Sequence, residues 1–266
     1  MSNVKPSTKM LETMISTFAN TKGIQKLQVL EDLLDYTIGY LDPTGQPVEG
    51  WKYTKKDNAA FFDMLRTYLK VMEDKLIVND WYDAFGDLYM SLVPRGGGKG
   101  QFFTPVDMCN LMAETQIRRD HVVEGQMTNF GRRIVVNDPA AGSSRCLLAA
   151  NAKIINTYKQ KPYLVAEDLD AMCCKMSAVN LALHGCFGEV VCHDTLCEPM
   201  EMRIGYIIGE TNYPFTTNIP SIRRVKDKSK YFLFQRNENR TEGKKTPSDV
   251  STADDAQGKI VQLSLF

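Results

Sequence analysis

The spacing of apolar residues divides the chain into two parts. In "IQKLQVLEDLLDYTIGYL" (24–41) they recur every three or four positions, which predicts an amphipathic helix. "DPTGQP" breaks it, because proline and glycine cannot continue the pattern. "AAFFDMLRTYLKVMEDKL" (59–76) and "NDWYDAFGDLYMSLV" (79–93) predict two more helices, the second with Asn79 or Asp80 as N-cap. The glycine-rich "PRGGGKG" ends this helical part.

From about residue 101 the pattern alternates. "RRIVVN", "PYLVA", "GEVVC" and "IGYIIG" are short apolar runs that read as strands. Between the first three lie the helical patterns "SRCLLAANAKIINTY" and "DAMCCKMSAVNLALHG", the latter closed by Gly185. Strands alternating with helices of this length predict an α/β fold with a parallel, doubly wound sheet. Beyond Phe234 the chain turns polar and cannot build a core, then ends in the apolar "IVQLSLF". The predicted organisation is a helical region over 1–95, an α/β domain over 96–235 and a flexible tail over 236–266.

Composition narrows the class. At 266 residues, 43% hydrophobic and 24% charged, the chain can bury a real core. No apolar run approaches the roughly 20 residues of a membrane helix, and "MSNVKPSTKM" has no signal-peptide core, so a cytoplasmic protein away from the membrane is expected. Seven cysteines without a CxxC pair read as buried thiols, not as a metal site; Cys192 and Cys197 alone make a poor zinc pair. Net charge is zero, yet residues 219–245 carry nine Lys and Arg against three acids. That excess either neutralises phosphates or is a solvated tail.

The candidate chemistry sits at the strand ends. "GGGKG" lacks the Ser or Thr of a phosphate loop and follows a helix, so it reads as a hinge. "VVNDPAAGSSRCLL" runs a strand into Asp138, then a tight turn with Gly142, then Ser143 or Ser144 as a helix cap. Ligands bind at this place in an open parallel sheet, and a glycine lets one approach the backbone. "YLVAEDLD" puts Glu167 at the next strand end, where an acid can accept two ribose hydroxyls. "HDTL" adds Asp194 at the third. Upstream, Thr104, Pro105 and Asp107 of "GQFFTPVD" read as a capping box with proline at the first helical position.

In order, "GQFFTP", "DPAAGS", "AEDLDAMCCKMSAVNLALHG" and "HDTL" resemble the N-6 adenine DNA methylases of type I restriction-modification systems, specifically their modification subunit. The likeness covers about residues 80–200, and the order of the motifs makes it specific. The resemblance implies a Rossmann-like S-adenosylmethionine-dependent methyltransferase fold with an N-terminal helical region, DNA as substrate, and a specificity subunit as a possible partner. It implies that S-adenosylmethionine lies beside Phe103, Thr104 and Pro105. Asp138, Ala140 and Gly142 would face its methionine part, Glu167 its ribose, and Asp194 with Thr195 its adenine. The family follows its fourth strand with N-P-P-F or N-P-P-Y. Asn212, Tyr213, Pro214 and Phe215 of "GETNYPF" fill that place with one proline replaced. An asparagine and a backbone carbonyl there accept the two protons of the adenine amine, and the aromatic stacks on the flipped base. Tyr213 keeps the carbonyl and loses proline's rigidity. Three readings stay open: a working adenine N-6 methyltransferase, a relative that keeps the fold and acts through partners, and an RNA or protein methyltransferase that shares the first three strands.

The last five residues, Gln262, Leu263, Ser264, Leu265 and Phe266, resemble the peptide by which bacterial proteins dock on the DNA polymerase sliding clamp. About 25 flexible residues would give it a reach of roughly 25–30 Å. The competing reading folds "IVQLSLF" back as a final strand.

Overall fold

The computed structural model describes residues 7–45, 48, 50–93, 103–119, 126–128, 131–197, 200–209, 220–235 and 261–262. Four helices open the chain: α1 (Thr8–Lys22), α2 (Lys26–Leu41), α3 (Lys55–Leu76) and α4 (Ala84–Leu92). Their starts follow from local chemistry. Ser7 caps α1, and Thr54 with Asp57 forms a reciprocal capping box on α3. Asp83, not Asn79 or Asp80, caps α4, accepting from the Gly86 amide at 2.7 Å. Leu11, Ile15, Leu30, Leu33, Leu34, Phe61 and Leu65 then close the apolar stripes on one another.

Helix α5 (Val106–Gln116) leads to a hairpin of β1 (Gln126–Thr128) and β2 (Gly131–Arg133). The helix begins one residue later than the capping box predicts. Pro105 is its N-cap, and no side chain bonds the first turn. Proline's fixed φ suits the position, and its missing N–H costs nothing there.

The main sheet contains β3 (Val135–Asp138), β4 (Tyr163–Asp168), β5 (Phe187–Cys192), β6 (Ile204–Ile208), β7 (Ile222–Arg224) and β8 (Val261–Gln262), in the order β7-β6-β5-β4-β3-β8. Helix α6 (Arg145–Tyr158) connects β3 to β4, and α7 (Ala171–Leu183) connects β4 to β5. Strands β3, β4, β5 and β8 are parallel. Strand β6 is antiparallel to β5, and β7 to β6. The expectation of a parallel fourth strand is corrected here. Residues 193–203 join β5 to β6, too few for a crossover helix, and parallel strands need a crossover of a dozen residues or more.

Alternation along the strands sends side chains to two cores. Val136, Leu164, Ala166, Val190 and Ile208 pack with α6, α7 and the N-terminal helices. Val135, Tyr163, Val165, Val191 and Ile207 pack under Tyr231, Leu233 and Phe234. Among the described residues α6, α7 and the N-terminal helices cover the first face, and a helical turn at residues 232–235 lies on the second. Glu189 faces the second core and is fully buried. It accepts from Tyr163 Oη and from the amides of Phe232 and Leu233, each at 2.8 Å, which pins the 231–235 segment to the sheet.

Six of the seven cysteines are buried, and Cys197 is exposed. No helix among the described residues is long and apolar enough to cross a membrane.

Candidate cofactor site at the carboxyl ends of three strands

Parallel pairing aligns the carboxyl ends of β3, β4 and β5 and fixes which residues share a face. Asp138 pairs with Ala166, so Asp168, two residues on, lies on the Asp138 side of the sheet. Glu167 points the other way. It is 4% exposed, and its carboxylate lies 2.6 Å from His193 Nε2. The structure thus joins Asp138 and Asp168 at the rim and sends Glu167 beneath the sheet. Strict alternation within "VAED" carries this signal, since two adjacent acids on a strand cannot serve one face.

The turn after β3 is tightly held. Asp138 Oδ1 accepts from the Ala140 amide at 3.1 Å, and the Ala141 amide donates to the Glu167 carbonyl at 2.9 Å. The Gly142 amide donates to Asp168 Oδ2 at 2.8 Å. Gly142 has φ +55°, and a Cβ there would meet the Phe103 ring at 3.1 Å. Glycine meets both demands without strain or displacement of the ring. The Phe103 ring lies 5.5 Å from that of Tyr89. Thr104 is half-buried and Pro105 exposed beside it. Ser144 is the N-cap of α6 in left-handed geometry, and its hydroxyl meets Ser177 rather than an α6 amide.

Asp138 is 7% exposed, and burial pushes its carboxyl up to about 7, against the pull of the Ala140 amide and helped by the nearby Asp168 and Glu167. Burial likewise raises Asp168, although the amides of Asp170 and Gly142 oppose it. Asp194 behaves oppositely. The Leu196 amide, donating at 3.0 Å, holds its carboxyl below the usual range, so it is ionised at neutral pH. Thr195 beside it is exposed. The three acids at the rim therefore differ in how firmly they hold a proton, and a cation placed beside Asp138 would favour its ionised form.

Two leucines at this rim stand in water. Leu169, after Asp168, is 56% exposed, and Leu196, after Asp194 and Thr195, is 94% exposed. A cavity of about 1060 Å³ adjoins the β4–α7 turn, lined by Leu169, Asp170 and Met172 together with Tyr89, Lys52 and Arg203.

Asn212, Tyr213, Pro214 and Phe215 lie outside the described residues. Ile208 pairs with Gly188, at the amino end of β5, and the Gly209 amide donates to the Ser221 carbonyl there. The rim is at the other end.

Sequence reasoning also missed the buried polar group behind the turn. Asp83, Arg145 and Asn180 sit there, joined to Ser143. A lone Asp after "WY" and an Arg one residue inside a helix give no signal until the two halves of the chain meet.

No curated protein gives a significant match to the chain. A solved protein from Listeria monocytogenes, assigned to the class I S-adenosylmethionine-dependent methyltransferases, is 13% identical over 78% of this chain and 59% of its own, with a TM-score of 0.44. The type I restriction-modification methyltransferase subunit of Streptococcus thermophilus is 22% identical over 73% of this chain and 40% of its own, with a TM-score of 0.36. The chain thus spans 40–59% of the length of these two structures. The assignment rests instead on residues 80–244, more than half of the chain, which match the sequence profile described as N-6 DNA Methylase. The chain belongs to the N-6 DNA methylase family.

Proposed function

We propose that the chain binds S-adenosylmethionine at the rim of β3, β4 and β5 and methylates adenine at N-6 in DNA. The observation that carries the cofactor reading is the convergence of Asp138, Gly142 and Asp168 on one face, with Asp194 at the adjoining strand end. The residues present fit the group. Gly142 offers backbone where a side chain would intrude, and Asp138 offers a buried carboxylate to a cationic methionine end. Asp168 takes the ribose role expected of Glu167. Asp194 faces the adenine amine, and Leu169 and Leu196 would gain by covering a flat apolar ring. When bound, the cofactor supplies an activated methyl group. The chain's own residues hold it, orient it and exclude water from it.

The acceptor half is supported less directly. DNA as substrate follows from the family and from the type I modification subunits among the similar structures. A specificity subunit is a partner of the same standing. The replacement of one proline by Tyr213 is the feature behind a second reading, in which the chain keeps the fold and the cofactor and acts through partners. A sliding clamp as partner is a separate proposal, carried by the five residues from Gln262 to Phe266. The parallel pairing of Val261 and Gln262 with β3 competes with it.

Tritiated methyl transfer to unmethylated DNA, followed by nucleoside analysis, tests the enzyme reading. The expected product is N-6-methyladenine. Cofactor binding without transfer supports the second reading, and an absence of cofactor binding overturns both.

A further inference from the structure

We propose that Asp83, in the helical region, is a positioning residue for the cofactor turn, so that residues 139–145 keep their ligand-ready shape only while the N-terminal helices hold them. The inference rests on the cofactor reading given above. Asp83 is 2% exposed and far from the turn in sequence, yet its carboxylate accepts from two residues of the turn. Ser143 Oγ donates to Oδ2 at 2.5 Å and Arg145 Nε to the same oxygen at 2.7 Å. Asn180 Nδ2, on α7, donates to Oδ1 at 2.8 Å and to the Ser143 carbonyl at 2.9 Å. Tyr68 of α3 donates to Asn180 Oδ1 at 3.2 Å.

The turn needs such an anchor. Gly142 and Ser144 both adopt positive φ, +55° and +69°. For a serine this conformation is strained and persists only where its surroundings impose it. The helical side is shaped for the contact. A Cβ at Gly86 would lie 1.9 Å from Asp83 Oδ2 and 2.9 Å from Ser143 Oγ, so a side chain there would displace the bond. Arg145 extends the link. Its Nη2 reaches Asp87 at 2.6 Å, and its guanidinium lies 5.5 Å from the Phe103 ring, which packs on Gly142. One carboxylate thus ties α4, α6, α7 and the turn together.

The test compares the full-length chain with Asp83→Asn in two measurements made well below the melting temperature. Hydrogen exchange of residues 139–145 should quicken about tenfold or more while residues 163–168 of β4 are unchanged, the loss of one charged hydrogen bond. The dissociation constant for S-adenosylhomocysteine should rise about tenfold. Faster exchange with unaltered affinity would make Asp83 a tether without a positioning role and overturn the proposal. Unaltered exchange in a folded variant would overturn it as well. If the parent chain bound no S-adenosylhomocysteine, the cofactor reading would fail by itself, and exchange at 139–145 would still decide whether Asp83 holds the turn. Should Asp83→Asn not fold, Ser143→Ala removes one bond and keeps the Arg145 pair. It should show the same pattern at about threefold, and no change in either measurement would sink the idea.

Discussion

The sheet has two halves built on different rules. On one side β3, β4 and β5 run parallel, joined by α6 and α7, with every carboxyl end at one rim. On the other, β6 and β7 run antiparallel, and β6 leaves the sheet at the far end. The first half has the connections that a ligand site requires, because crossover helices return each strand in the same sense. The second half has a short link and reverses. The difference teaches that the length of a connection decides the sense of the next strand. The motif order "DPAAGS", "AEDLD", "HDTL" reports on the first alone.

The largest expected effect tests the link that holds the first half in shape. Arg145→Ala leaves Asp83 buried beside Ser143 and Asn180 without its cation. Unfolding in urea should show a loss of about 3–5 kcal/mol, the usual cost of stranding a buried charge. A loss below about 1 kcal/mol would mean that water reaches Asp83 and that the anchor is weaker than its geometry suggests.

Next comes a contrast of neighbours. Asp168→Ala should weaken S-adenosylmethionine binding by about 1.5–3 kcal/mol, as for hydrogen bonds to a charged group. Glu167→Ala should leave affinity nearly intact and instead cost about 1–3 kcal/mol of stability, since His193 loses its buried partner. Titration calorimetry and chemical denaturation separate the two. The reverse pattern would restore Glu167 as the ribose acid.

How far the site was legible follows the same division. The strand ends, the turn at Gly142 and the acids at Asp138 and Asp194 could be read from pattern and turn chemistry. That Glu167 and Asp168 face opposite sides of the sheet follows from the two-residue period of a strand, which motif order alone does not use. The capping box at Thr104 and Asp107 failed because Pro105 itself holds the cap position. The direction of β6 is not written in "GYII", since an apolar run looks the same both ways. It was written in the short link 193–203. Asp83 could not be read at all, because its partners Ser143, Arg145 and Asn180 lie far along the chain.

A smaller effect concerns pH. Asp138 has its carboxyl raised to about 7 by burial, and burial raises Glu189 to about 7 as well. Each holds its proton more tightly folded than unfolded. The stability this contributes is complete below about pH 4 and is lost as pH rises through about 7. Asp138→Asn should flatten that decline and raise the melting temperature at pH 8, while weakening cofactor binding. An unchanged pH profile would show that Asp138 is ionised in the folded chain.

The smallest effect lies at the edge of the sheet. Deleting residues 261–266 should cost about 1–2 kcal/mol if β8 stays paired with β3 in solution, since only Val261 and Gln262 pair. An unchanged melting temperature, with clamp association lost on Leu265→Ala and Phe266→Ala, would favour the docking peptide.

The central claim is that the cofactor is held by the rim of β3 to β5 and not by the segment after β6. One calorimetric titration tests it, S-adenosylmethionine into the parent chain, Asp168→Ala and Asn212→Ala. The account predicts binding to the parent, an affinity about tenfold or more weaker in Asp168→Ala, and an affinity within about twofold of the parent in Asn212→Ala. Parent-like affinity in Asp168→Ala, with binding lost in Asn212→Ala, would contradict it.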